Sequence, residues 1–420
     1  MVSQRIANLF KGDKVIWLVF FFFCVISVVE VYSASSIMSY GDGNYMKPML
    51  THTSILLFSV LCMIVVVNIP CKYFKVFTVP LIGVSVITLI AVLIVGDKLN
   101  GASRQIPLIG GVGFQPSEIA KGTLILLTAQ VLSSVQGIRQ PGWREFKIIG
   151  WISLPIIGLI LVENLSTAAM LAFVVLLLMF VGKMEKAILG KTLGIAVGCV
   201  AAVLAFVMLV GEAPAAQSTK EKTMTEMADG GKREKTTVEK IFHRADTWKG
   251  RINSFVNNKD IAPEDVDLKK DGQAAHANIA IASSGIIGNG IGKSVERDFL
   301  AHAYSDYIYT IIIEETGFAG GLCVAILYLI LLFRTANIAN RCERAFPALL
   351  ALGLSLLIAV QAVFHMGVSV GLLPVTGQPL PLVSKGGTSF LITCLYVAAI
   401  LSVSRTAIVR KTPKMKENVG

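Results

Sequence analysis

Residues 371–390 read GLLPVTGQPLPLVSKGGTSF and lie between two long apolar segments of the chain. Prolines and glycines at this density interrupt a regular helix. A bilayer tolerates irregular backbone near its core only where protein buries it or a watery cavity satisfies its free N–H and C=O groups. The stretch therefore predicts a cavity built inside a membrane protein. The alternative from composition alone is a proline-rich turn between helices at the membrane surface.

The composition indicates an all-α polytopic membrane protein. Of 420 residues, 54% are hydrophobic and 15% are charged, whereas soluble domains carry roughly 25% charged residues. The net charge of +11 raises the question of a nucleic-acid partner. The basic residues lie mainly in short loops, and no aromatic-and-basic binding module is present, so the sequence supports no nucleic-acid partner. The charge instead indicates topology and attraction to membrane lipids.

Apolar runs predict about ten transmembrane helices within a single domain that occupies residues 1–420. The predicted spans are 15–34, 50–70, 74–96, 117–135, 146–162, 165–182, 188–211, 305–333, 346–370 and 388–408.

The short loops predict the orientation of these spans. Lysine and arginine residues cluster in alternate connections, before the first helix and after the last, which places both termini in the cytoplasm. The large loop 212–304 between helices 7 and 8 is then extracytoplasmic. Residues 212–240 are charged and nearly free of large apolar side chains, so they are predicted to be flexible. Residues 241–255 carry apolar residues at helical spacing, which predicts a short helix on the membrane surface.

Charged residues inside spans are costly and usually face a bundle interior or a cavity. Asp306 is predicted at the outer mouth of the eighth span, where the alternative role is capping of the first helical turn. Glu314 and Glu315 are adjacent and point to different sides of a helix, so one of them is expected to pair with a base on another helix. Glu118 and Lys121 are three residues apart and either pair with each other or form a charged wall of the cavity together with Arg104.

Three motifs resemble the SEDS family of shape, elongation, division and sporulation proteins, which includes FtsW, RodA and SpoVE. The first is NGASRQIPL followed by QPSEIAKG, and the second is GLLPVTGQPLPLVSKGGTSF. The third is GQAAHANIAIASSGIIGNGIGKS followed by YSDYIYTIIIEETGF. The resemblance runs from the first span to the tenth. GQPLPLVSKGGTS is more similar to the division proteins of the FtsW type than to RodA.

The resemblance implies a peptidoglycan glycosyltransferase that polymerises lipid II into β-1,4 glycan at the outer face of the membrane, with loss of undecaprenyl diphosphate. The family's essential aspartate matches Asp306, which would act as general base. Cationic or N–H groups would stabilise the leaving diphosphate. The substrate-binding candidates are Arg104, Glu118, Lys121, Lys293, Ser384 and Lys385. The histidines show no ligand spacing, so no metal site of the protein's own is expected, and a divalent cation at the diphosphate is left open.

Partners and location also follow from the resemblance. The expected partners are lipid II, a class B penicillin-binding transpeptidase of the FtsI type, other divisome membrane proteins and membrane lipids. The expected location is the bacterial cytoplasmic (inner) membrane, crossed many times, at the division septum. Two other functions stay open at this point: a lipid II flippase, since broken helices and intramembrane charges suit transporters, and a non-catalytic division scaffold.

The chain departs from the family pattern around these motifs. Asn164 and Ser166 stand where many members carry Asp and Gly, His365 replaces a common Asn, and Lys385 replaces a common Tyr. The aspartate itself is intact, so the departures concern the residues around it.

Overall fold

A computed structural model describes residues 10–34, 47–95, 97–99, 102–107, 113–210, 249–250, 272–300 and 303–409. The predicted flexible segment 212–240 and most of the predicted surface helix 241–255 lie outside the described residues.

The described chain is dominated by long helices, and each of the predicted spans overlaps one of them. The helices are α1 Lys14–Ala34, α2 Lys47–Val67, α3 Phe74–Val95, α4 Pro116–Val135, α5 Trp143–Glu163, α6 Leu165–Val181, α7 Lys186–Val210, α8 Gly272–Ser284, α9 Ile308–Ala339, α10 Ala345–Ser369 and α11 Thr388–Val409. Eight of the described helices are long and apolar enough to cross a membrane. The predicted polytopic helical fold is confirmed.

A small antiparallel sheet connects α3 to α4. Its strands are β1 Asp97–Leu99, β2 Ala102–Pro107 and β3 Gly113–Phe114, in the order β1-β2-β3. This sheet was not predicted from the sequence, because β1 and β3 have only three and two residues and the six residues of β2, ASRQIP, show no alternation of apolar and polar side chains. The sheet sets the path of the chain just before the polar start of α4.

The start of α1 and the ends of three other helices, α2, α9 and α11, meet at one end of the bundle. The Asp13 carboxylate caps α1 by accepting a hydrogen bond from the N–H of Val15 at 3.0 Å. It also accepts a hydrogen bond from Nε of Arg334 in α9 at 2.9 Å. At the same end, Arg405 of α11 donates to the carbonyl of Val67 at 2.7 Å. Burial raises the pKa of Asp13, but the Arg334 and backbone hydrogen bonds outweigh it and hold the pKa below its ordinary value.

A kink divides α9 into two parts. Gly317 has φ 74° and separates residues 308–316 from residues 318–339. A neighbouring loop, residues 285–290, supplies hydrogen bonds across the break: Phe318 N–H donates to the Gly285 carbonyl at 3.2 Å, and Gly290 N–H donates to the Glu315 carbonyl at 2.8 Å. A Cβ at Gly288 would lie 2.3 Å from the Gly317 nitrogen. Glycine is therefore required on both sides of this contact.

The structure corrects the expectation for Glu314 and Glu315. Among the described residues, no base on another helix binds either carboxylate. The Glu314 carboxylate accepts the N–H of Val295 at 2.8 Å, and the Glu315 carboxylate accepts the N–H of Gly292 at 2.9 Å and the hydroxyl of Ser33. Backbone N–H groups make strong hydrogen bonds to a buried carboxylate, so these residues fasten the loop at residues 292–296 to α9 and α1.

Candidate active site

Residues 371–387 form a re-entrant segment that dips into the bundle. The hydroxyl of Tyr328 donates to the carbonyl of Pro381. Tyr328 is midway along the second part of α9, and its ring packs on Phe23 of α1 with centroids 4.5 Å apart. The segment therefore reaches the middle of the helical bundle, as predicted from its prolines and glycines. The alternative of a turn at the membrane surface is wrong.

Side chains from surrounding helices satisfy the backbone of the re-entrant segment. These donors come from α1, α6 and α10 and compensate for the lack of helical hydrogen bonds. The bonds join Ser27 to Val383 O at 2.8 Å, Gln361 to Pro379 O at 3.0 Å, His365 to Gln378 O at 2.7 Å and Asn164 to Thr376 O at 3.5 Å. Within the segment, Leu382 has φ 64° and is buried. Such a backbone conformation in a non-glycine residue needs support from its surroundings.

Asp306 lies in a bend at residues 303–307 that is joined to the re-entrant segment. The hydroxyl of Ser384 donates to the carbonyl of Ser305 at 2.8 Å, and the N–H of Lys385 donates to the carbonyl of Tyr304 at 3.0 Å. The hydroxyl of Ser305 donates to the Asp306 carboxylate at 3.0 Å. Asp306 is half-buried, so its carboxylate is held in place and keeps access to a ligand.

The capping alternative for Asp306 is not supported. The N-cap position of α9 belongs to Tyr307, and no side-chain hydrogen bond caps that helix. A buried or half-buried carboxylate that does not cap a helix and does not belong to an ion pair is available for chemistry.

Lys385 and Tyr304 stand beside Asp306. The Lys385 ammonium lies 5.0 Å from the centroid of the Tyr304 ring, a cation–π distance. Burial lowers the pKa of Lys385. Burial, followed by the negative charge of Asp306, raises the pKa of the Tyr304 hydroxyl. One carboxylate and one cation thus flank the same bend.

Glu118 and Lys121 form a buried ion pair on α4. Their side chains are each 2% exposed, and Nζ of Lys121 lies 2.8 Å from Oε1 of Glu118. The same ammonium donates to Oε1 of Gln361 at 2.7 Å. The side-chain N–H of Gln361 in turn donates to the carbonyl of Pro379. The carbonyl of Glu118 accepts the hydroxyl of Tyr396 from α11. The predicted pairing is confirmed, and through Gln361 the pair also supports the re-entrant segment. A charged wall that includes Arg104 stays a prediction.

Three further polar residues, which were not selected from the sequence, also bind or belong to the re-entrant segment. Gln361 and His365 are one turn apart on α10, and both bind backbone of the re-entrant segment. Gln378 donates to the Thr167 hydroxyl at 3.1 Å. Gln361 and His365 could have been predicted from the sequence, because a polar side chain inside an apolar span usually faces the interior of the bundle.

The remaining predicted substrate-binding residues are placed differently. Arg104 lies in β2, and its side chain is outside the described part of the structure. Lys293 is exposed on the loop that binds Glu314 and Glu315. The described contacts join Ser384 and Lys385 to Ser305 and Tyr304, the residues just before Asp306, and leave Lys293 outside that group.

The chain is similar to proteins of known type along nearly its whole length. A model of the cell cycle protein family FtsW/RodA/SpoVE matches residues 13–408. A protein of Trichlorobacter lovleyi named probable peptidoglycan glycosyltransferase FtsW is 29% identical over 414 residues, with 96% of each chain covered. A protein of Nitrosomonas europaea with the same name is 28% identical over 389 residues, covering 90% of this chain and 89% of its own.

Two solved structures show the same fold. A chain of a peptidoglycan synthase complex has a TM-score of 0.66 at 22% identity and covers 94% of this chain and 98% of its own. The rod shape determining protein RodA of Thermus thermophilus has a TM-score of 0.62 at 22% identity, with coverage of 95% and 98%.

Proposed function

The chain belongs to the FtsW/RodA/SpoVE family of cell cycle proteins, and from this membership and the geometry around Asp306 we propose that it is a peptidoglycan glycosyltransferase of the FtsW type. It polymerises lipid II into β-1,4 glycan at the outer face of the membrane. The observation that carries the proposal is the half-buried Asp306 carboxylate, held by Ser305 beside Lys385 on the re-entrant segment.

Asp306 acts as the general base. Its carboxylate takes the proton of the acceptor sugar's 4-hydroxyl while that oxygen attacks the anomeric carbon of the donor sugar. The new C–O bond forms as the bond from the anomeric carbon to the diphosphate breaks, and undecaprenyl diphosphate leaves with the bonding electrons. The Ser305 hydrogen bond keeps the carboxylate oriented before and after it takes the proton.

Lys385 stabilises the departing diphosphate. Its backbone is fixed by Tyr304 and its ammonium lies over the same tyrosine ring, so the positive charge stays close to the reacting atoms. Fixed charge aimed at a developing negative charge is usually a large part of catalysis. Lys121 is buried and engaged by Glu118 and Gln361, so it supports the site and does not meet the diphosphate directly.

A divalent cation would be held mainly by the substrate. The described residues include no group of three or more His, Cys, Asp or Glu side chains placed to hold a metal ion. Magnesium sites of this sparse kind use one or two carboxylates and the phosphates of the substrate. The proton transfer and charge stabilisation above are carried by protein groups.

The reaction is tested with purified protein in vesicles that carry lipid II. We expect glycan polymer from outward-facing lipid II. Facilitated movement of lipid II across the bilayer without polymer would indicate a flippase, and the absence of both activities, alone and with a transpeptidase partner, would indicate a scaffold.

The partner and location follow from the same proposal. A class B penicillin-binding transpeptidase and other divisome proteins would join the chain at the division septum of the cytoplasmic membrane. Support comes from the FtsW-type relatives and from the similarity to a chain of a peptidoglycan synthase complex.

Two substitutions of Lys385 test whether the reaction needs the positive charge at this position. Lys385→Met is expected to lower the polymerisation rate by about tenfold or more, because the diphosphate loses a nearby cation. Lys385→Arg keeps the charge and is expected to retain most of the activity at neutral pH. Since burial lowers the pKa of Lys385, the wild type loses this cation at a lower pH than a free lysine would, and the arginine variant should stay active to higher pH. Rate–pH profiles of the three proteins measure this, and identical alkaline limbs would contradict the role of Lys385.

A further inference from the structure

The outward face of α5 forms a groove near the end of the bundle that carries the basic loops. We call it the α5 groove. It has a volume of about 690 Å³ and is lined by Trp143, Arg144, Lys147, Ile148, Trp151 and Ile152. Trp143, Lys147 and Trp151 follow one another at four-residue spacing, which puts a lysine between two indoles along one stripe of the helix. Trp151 is 79% exposed, so the groove opens away from the bundle.

The cations of the α5 groove have no acidic partner of their own. Glu145, the nearest carboxylate in sequence, is bound by Arg139 at 2.6 Å and accepts the N–H of Gly142 at 2.9 Å. Glu185 also faces Arg139. Within the described part of the chain, no carboxylate oxygen lies within 4.0 Å of Arg144 or Lys147. Two positive charges are therefore left on an exposed, aromatic surface.

The order of residues along α5 matches the order of chemical groups in a phospholipid. The basic residues and Trp143 lie in the first turns of the helix, close to the loop that precedes it. Ile148, Trp151 and Ile152 follow toward the middle of the span, and Leu154 beyond them is 71% exposed. Exposed apolar side chains in a spanning helix face acyl chains, and indoles favour the level of the headgroups.

We propose that the α5 groove is a binding site for an anionic phospholipid of the membrane leaflet at this end. Its phosphate is held by Arg144 and Lys147, its headgroup region contacts Trp143, and an acyl chain lies along Ile148 and Trp151. The site is separate from Asp306, so the proposal of a lipid site does not depend on the proposed transferase reaction.

The test uses the full chain in detergent, with Trp17→Phe and Trp248→Phe so that the groove residues Trp143 and Trp151 report alone. The protein is titrated with phosphatidylglycerol carrying brominated acyl chains, and quenching of tryptophan fluorescence is measured. Brominated phosphatidylcholine and inorganic phosphate are the comparison ligands. R144A/K147A removes the two cations of the groove. K186A/K191A removes two exposed cations from the start of α7 and is the matched control.

We expect saturable quenching by phosphatidylglycerol, weaker quenching by phosphatidylcholine, and at least about tenfold weaker phosphatidylglycerol binding in R144A/K147A but not in K186A/K191A. Equal quenching by both lipids, or equal weakening by both double variants, would overturn the site. Competition by inorganic phosphate at the concentration of the lipid would also overturn it, since the acyl chain would then contribute nothing. If the tryptophan variants do not fold, native mass spectrometry of wild type and the two alanine variants counts retained phosphatidylglycerol and decides by the same criteria.

Discussion

Asp306→Asn is expected to reduce polymerisation of lipid II by at least about a hundredfold. Loss of a positioned general base typically costs two to four orders of magnitude in rate. Asparagine keeps the size of the side chain and can still accept the Ser305 hydroxyl, but its amide cannot take a proton from a sugar hydroxyl. The measurement is the length and amount of glycan made by purified protein from lipid II.

Asp298→Asn is the matched control for this experiment. Asp298 is exposed and lies between α8 and α9, so the same chemical change there should leave the rate near that of the wild type. Melting temperature and partner binding should be unchanged in Asp306→Asn. Wild-type polymer from Asp306→Asn would end the assignment of the base, and equal loss in both variants would show a general effect of charge.

Glu118→Gln is expected to cause the largest loss of stability. The substitution leaves the Lys121 ammonium, which is 2% exposed, without its counter-ion. Removing one partner of a buried pair typically costs about 3–5 kcal/mol, because the other charge stays uncompensated. Lys121 also holds Gln361 and, through it, the Pro379 carbonyl, so activity should fall together with stability. Thermal unfolding in detergent measures the first effect and lipid II polymerisation the second.

The double variant Glu118→Gln/Lys121→Met discriminates between a buried charge and a lost contact. With both charges removed, most of the stability should return, because the cost lies in the unpaired ammonium. Arg139→Gln is the comparison in a partly exposed pair: the Arg139 side chain is 46% exposed and that of Glu145 is 4% exposed. Because the Gly142 N–H still binds the Glu145 carboxylate, a smaller loss than for Glu118→Gln is expected. A double variant as unstable as Glu118→Gln would show that packing at α4, and not charge, is decisive.

The fold was predictable from local features of the sequence. The length of an apolar run predicts a membrane-spanning helix, because the hydrocarbon core of the bilayer has a nearly fixed thickness. The basic loops predict which helix ends lie on the same side of the membrane. The re-entrant segment was predictable because residues 371–390 combine prolines and glycines with apolar flanks. Asp306 was predictable through the family resemblance, since its own neighbourhood in sequence also fits a helix cap.

The partners of buried polar groups were not predictable in the same way. Lys121 and Gln361 are separated by 240 positions in the chain, and periodicity shows which face of a helix is buried but not which residue it meets. One of Glu314 and Glu315 was expected to pair with a base on another helix, because adjacent residues point to different sides of a helix. Their real partners are N–H groups of an irregular loop, and irregular backbone has no period to read.

The break at Gly317 connects loop 285–290 to the helical stretch that begins next to Asp306. Loop 285–290 replaces hydrogen bonds that a continuous α9 would make, on both sides of the break. The short helical stretch 308–316 begins next to Asp306 and ends at this shared contact. Loop and stretch are consequently held together at the break. A molecule that displaces α8 is therefore expected to change the position of the Asp306 carboxylate without touching it.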